Sequence, residues 1–196
     1  MTTTKHINGF TLVETIVAVT ILITAITGPM VLAASSLRAT RDARNELIAT
    51  HLAEESIEIL HNIRDNNVTN YPLGSWLTGI LPSCGGAGCV VDVTAQDTSL
   101  VWSPSAVISC VPDGTLVSPV YYNPNTGLYR QSGVALGAPW ITTLFKRSIT
   151  VVGVDDPTTP LRQVRIFSTV TFTGFGGTQK SITIDDDLYN WFPPLK

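Results

Sequence analysis

GFTLVETIVAVTILITAITGPMVLAA, residues 9–34, decides how this chain folds. From Phe10 to Ala34 the only ionisable side chain is Glu14. About 20 apolar residues of helix cross the hydrocarbon core of a bilayer, and this run of 25 is long enough. It exceeds the roughly 7–15 apolar residues of a secretory signal. Val31 to Ser36 is only weakly similar to a small-residue cleavage site and runs on into helix-forming sequence, so the segment is expected to stay in the mature protein. Lys5 and His6 precede the run; Arg38, Arg41 and Arg44 follow it, interleaved with Asp42 and Glu46. With basic residues on both flanks, charge alone does not orient the segment. Gly28-Pro29 predicts a kink or a locally melted turn, because proline removes a helix donor and crowds the preceding turn. A carboxylate this far inside an apolar helix is costly and by default marks a function; taken alone, Glu14 so near the helix start is equally read as a group snorkelling to the interface.

The helical pattern continues past the apolar run. Leu37 to Asn66 contains neither Gly nor Pro. Ala49, Leu52, Ala53, Ser56, Leu60 and Ile63 follow the spacing of one buried helix face, widened by Ile48, Ile57 and Ile59. Glu46, Glu54, Glu55, Glu58 and Arg64 are expected mostly on the solvent side. His51 and His61 share this helix, but no third ligand stands at a metal-like spacing, so both are expected to be ordinary, partly exposed histidines.

Beyond Asn66 the composition changes. All 11 prolines other than Pro29 lie past residue 70. Val164, Ile166, Ser168, Val170 and Phe172 alternate as a half-buried strand does. Ile149 to Gly153, Ile182 with Ile184, Val90 to Thr94, Val107 to Val111 and Val120 to Tyr122 are further candidate strands. Asn123-Pro124-Asn125-Thr126-Gly127 predicts a turn joining Tyr121-Tyr122 to Leu128-Tyr129 as a hairpin. The expected fold class is α+β: a long N-terminal helix packed on an antiparallel sheet of four to seven strands. Trp76, Trp102, Trp140 and Trp191 are expected to anchor the core or its edges. Leu188 to Pro194 is expected to pack as a closing segment.

Cys84-Gly85-Gly86-Ala87-Gly88-Cys89 reads as a small disulfide-closed loop whose glycines permit the tight path. Cys110 is then left over as a buried thiol, or it pairs with Cys84 or Cys89 instead. Zinc is disfavoured because no histidine lies in this half. Asp155-Asp156 and Asp185-Asp186-Asp187 are acidic clusters without the spacing of a calcium loop, and solvated turns are expected there. No metal or cofactor is expected.

Gly9-Phe10-Thr11-Leu12-Val13-Glu14, with its short basic leader and the apolar helix after it, resembles the processing junction of type IV pilins and type II secretion pseudopilins. The resemblance implies cleavage by a prepilin peptidase between Gly9 and Phe10 and N-methylation of Phe10. It implies that Glu14 recruits the subunit to a growing fibre. It divides the chain into a leader (1–9), a transmembrane or filament-core helix (10–34), its continuation into the head (35–66) and a β-rich globular domain (67–196). It places the leader in the cytoplasm, the helix in the inner membrane and the head outside. The implied partners are the peptidase, other pilin subunits, assembly platform proteins and, before assembly, membrane lipid. Leu52-Ala53-Glu54-Glu55-Ser56-Ile57-Glu58 and Arg64-Asp65 look like minor rather than major pilins. Pro29 lies slightly nearer the N-terminus than the proline usual in major pilins.

Other function classes fare worse. A Ser-His-Asp triad cannot be assembled, since all three histidines lie in the leader or the helix. No glycine loop for phosphate is present, so the chain is not expected to be an enzyme. Removing Lys5 with the leader leaves 11 Lys and Arg against 15 Asp and Glu, a formal charge of −4 without a basic stripe. An extended nucleic-acid face is therefore not expected. The alternatives are a single-pass membrane-anchored surface or adhesion protein, or a DNA-uptake pseudopilin.

Overall fold

The computed structural model describes Gly9 and residues 11–70, 76–85, 88–92, 94, 107–109, 118–131, 136–154 and 162–191. The chain separates into two compact units, Met1–Ala43 and Arg44–Lys196. Helix α1 (Leu12–Asn70) contributes to both.

In the first unit α1 is exposed from Leu12 to Arg41; its large apolar side chains from Leu12 to Leu37 are 49–75% accessible. The helix is unbroken at Pro29. The melted turn expected at Gly28-Pro29 is absent, since proline withholds a single donor from the ladder and the flanking turns keep theirs. The hydroxyls among the apolar residues are satisfied internally. Thr15 donates to the Leu12 carbonyl (2.7 Å), Thr20 to Val17 (2.8 Å), Thr24 to Ile21 (2.9 Å) and Ser35 to Leu32 (2.8 Å). These bonds let a threonine-bearing helix present an apolar surface without stranded polar groups.

The second unit is α+β. Its seven strands form one sheet: β1 (Cys89–Val91), β2 (Val107–Ser109), β3 (Ser118–Tyr122), β4 (Tyr129–Gln131), β5 (Ile141–Gly153), β6 (Gln163–Thr173) and β7 (Gln179–Tyr189). All pairings are antiparallel. β7 pairs with β6 and β6 with β5. At 13 residues β5 is long enough to take two partners on its other side, β3 opposite Ile141–Arg147 and β1 opposite Ile149. β2 and β4 then flank β1 and β3.

The expected α1 face is the one that packs. Ala49, Leu52, Ala53, Ser56, Leu60 and Ile63 are buried, with Ile57 and Ile59 beside them. They meet the inward set Val164, Ile166, Ser168, Val170 and Phe172 of β6. Ser56 and Ser168 share a buried 2.7 Å hydrogen bond across this interface. Two residues expected on the solvent side are drawn inward. Arg64 is buried, and Glu55 is half-buried because it faces a buried arginine of β5.

The helix also runs on to Asn70, past the expected end near Asn66. Buried Val68 and the two bonds from Asn67 Nδ2 to the Trp76 and Thr78 carbonyls hold this last turn against weak local propensity.

The 123–127 turn closes the β3–β4 hairpin, with Asn123 N bonded to the Leu128 carbonyl (2.9 Å) and Gly127 at φ 74°. β1 stops sooner than the expected Thr94, because Asp92 Oδ1 turns back to the Thr94 amide at 2.9 Å. Asp185–Asp187 do not form a turn; they lie in edge strand β7. Tertiary partners override their poor strand propensity: Arg165 across the ladder on β6 holds Asp187 at 2.9 and 3.2 Å, and His61 on α1 holds Asp186 at 2.7 Å. Trp76 is buried, Trp140 lies 5.8 Å from the Arg130 guanidinium, and Trp191 is exposed. Of the expected closing segment, Leu188 is buried while Tyr189 and Trp191 are exposed. Cys110, Trp102, Asp155-Asp156 and Phe192–Pro194 lie outside the described residues.

Cys84, at the end of the short helix α2 (Leu81–Cys84), forms a disulfide with Cys89 at the start of β1. Gly88 makes the return possible. Its φ is +91°, and a Cβ there would stand 2.9 Å from the Ile149 carbonyl oxygen of β5. Replacing both cysteines with serine is expected to lower unfolding stability by about 2 kcal/mol, the chain-entropy value for so short a loop. The urea midpoint of the oxidised protein against the double variant measures it.

Candidate functional site

The first turn of α1 is built by Thr11. Its hydroxyl accepts the Glu14 amide at 3.3 Å, and its carbonyl accepts the Thr15 amide at 3.2 Å. Thr11 therefore caps the helix, with Glu14 three residues on, the spacing of a capping box. The Thr-x-x-Glu pattern before an apolar run is the sequence signal of this cap, which was missing from the residues read as functional. Glu14 sits where unpaired helix amides present partial positive charge, which favours a carboxylate. It is exposed, and no cation of this chain pairs with it among the described residues. Gly9 is exposed too, with nothing within 4 Å of a Cβ built on it. Phe10 lies outside the described residues. Among the described residues α1 is the one helix long and apolar enough to cross a membrane.

The head is organised around Arg147, on the inward side of β5 and 1% exposed. Its Nε donates to Gln131 Oε1 (2.6 Å) on β4. Nη1 donates to the Leu52 carbonyl (2.7 Å) and to Glu55 Oε2 (3.0 Å) on α1. Nη2 donates to the Val91 carbonyl (3.1 Å) on β1. Burial pulls its pKa below the ordinary arginine value, and the Glu55 charge pushes back. One guanidinium thus ties the helix to three strands. The alternation Phe145, Arg147, Ile149, Val151 was the signal, hidden because a charge occupied an apolar phase.

A groove of about 520 Å³ lies between α1 and β7. Ile57 and Ile184 line it with Glu54, Glu58, Asp65, Asp185 and Asp186. His61 bridges the two elements, with Asp186 on Nε2 at 2.7 Å and Arg64 Nη2 on Nδ1 at 3.2 Å. Arg64 also holds Asp65 at 2.6 Å and the Tyr189 carbonyl at 3.2 Å. His51 is separate and faces Glu54 at 3.1 Å. No cluster of three or more metal-ligating side chains occurs among the described residues. Comparison with protein families, curated proteins and solved structures finds no match to this chain. What the fold defines on its own is a class: an α+β head built on a long N-terminal helix whose outer half is apolar and fully exposed. This arrangement is compatible with a pilin-like fold.

Proposed function

We propose that the protein is a minor pilin or pseudopilin, a non-enzymatic structural subunit of a type IV pilus or a type II secretion-like filament. The observation that carries the reading is the junction Gly9-Phe10-Thr11-Leu12-Val13-Glu14 standing immediately before a capped, exposed apolar helix. A prepilin peptidase of the inner membrane removes residues 1–9 and methylates Phe10. The helix holds the subunit in the membrane until assembly platform proteins pass it into the fibre, where neighbouring pilin helices replace lipid around it. Exposure of Gly9 suits a protease site.

The test is the N-terminal peptide of protein recovered from cell membranes. It is expected to begin at N-methylated Phe10. A chain still beginning at Met1, in cells with an active peptidase, would falsify the processing step and leave a single-pass membrane-anchored protein.

A further inference from the structure

The α1–β7 groove carries charge that the fold leaves unanswered. Of the basic side chains beside it, His61 is engaged by Asp186 and Arg64 by Asp65. Glu54 has only His51, which is exposed. Glu58 and Asp185 have no ion-pair partner among the described residues. Two carboxylates without an ion-pair partner, Glu58 and Asp185, and a third held only by an exposed histidine therefore border an isoleucine-lined slot. The complement exists elsewhere on the same helix. Arg41 and Arg44 are exposed, lie one turn apart, and have no carboxylate partner among the described residues. Arg44 and Glu58 are 14 residues apart on α1, about 21 Å at 1.5 Å per residue. That is beyond the reach of an arginine side chain, so the two sets cannot meet within one chain.

We propose that Arg41 and Arg44 of one copy dock into the α1–β7 groove of a second copy. Arginine suits both parts of the slot. Its alkyl stem lies on Ile57 and Ile184 while its planar fork reaches the carboxylates of Glu54, Glu58 and Asp185. The two surfaces differ, so the contact is heterologous: each copy offers one basic and one acidic face, and repetition builds an open helical array rather than a closed dimer. Placing Arg44 level with Glu58 sets an axial offset of about 21 Å between parallel helices. The inference rests on the fibre-subunit reading for the parallel arrangement of copies in one membrane.

Two differently tagged copies of the full chain, expressed together and solubilised from membranes in mild detergent, test it by co-purification. R41E/R44E in both copies is expected to lower capture about tenfold, and so is E58R/D185R in both copies, with wild-type capture falling as salt rises. Mixing an R41E/R44E copy with an E58R/D185R copy restores one complementary contact and is expected to recover capture. All four positions are outside the core, and unchanged urea midpoints check that the variants fold. Capture unaffected by either reversal, or a mixed pair no better than the single variants, overturns the proposal. So does an acidic groove whose reversal releases some other membrane protein while R41E/R44E does not. Failure of wild-type copies to associate also overturns it, yet leaves the Phe10 terminus, measured separately, to decide the processing step.

Discussion

Replacing Arg147 with alanine is expected to destabilise the head by about 3–5 kcal/mol, the range for breaking a buried charged network from one side. The substitution removes the guanidinium's bonds to the Leu52 and Val91 carbonyls and to the Gln131 amide oxygen at once. Each buried polar group left without a partner costs about 1–3 kcal/mol. The Glu55 carboxylate is 39% exposed and can turn to water, so it adds less. Lysine is not a substitute, because a single ammonium cannot reach α1, β1 and β4 in the directions the guanidinium fork spans. Urea unfolding of the detergent-solubilised protein measures the effect as a shift in midpoint at constant slope. A loss below about 1 kcal/mol would show that the isoleucine and valine core alone fixes the helix on the sheet.

Glu14→Ala is expected to leave membrane insertion and head folding intact while lowering incorporation into the fibre at least about tenfold. The proposed cleavage after Gly9 would create a cationic amine at Phe10. Packed among apolar helices, that amine and the Glu14 carboxylate each need a counter-charge, and pairing them across subunits fixes axial register. The capping geometry at Thr11 supplies a competing explanation, in which Glu14 merely stabilises the first helical turn. Glu14→Gln separates the two, since glutamine serves a capping box equally well and carries no charge. Incorporation is read as the ratio of subunit in sheared surface fibres to subunit in membranes. Loss in both variants supports the charge pair; loss in the alanine variant alone assigns Glu14 to capping.

Much of the fold was legible because periodicity and burial agree. The buried residues of α1 and β6 recur at the spacings their patterns dictate, and the β3–β4 turn has the chemistry its backbone needs. The difficult places were those where a charge stands in an apolar phase. Arg147 concealed the first half of β5, and Asp185–Asp187 concealed most of β7. In both, partners distant in sequence answer the charge: Leu52 and Glu55 for Arg147, His61 for Asp186 and Arg165 for Asp187. No local window contains those partners. At the N-terminus the apolar run, its lone carboxylate and the Thr-x-x-Glu spacing of a cap all stand in the sequence, and the geometry adds the Thr11–Glu14 bond itself. The groove was equally hidden, because it joins residues near 58 on α1 to residues near 185 on β7.

The Ser56–Ser168 contact has a consequence for the order in which the protein is made. Its partners are 112 residues apart, and β7, which lines the groove against α1, is later still. At synthesis rates of about 5–20 residues per second, the inner half of α1 emerges roughly 6–22 s before its sheet partner β6. During that interval its isoleucines and leucines have no core to enter. Were the outer half seated in a membrane as proposed, it would fix the waiting segment at one end and hold the nascent helix beside the bilayer rather than release it to aggregate.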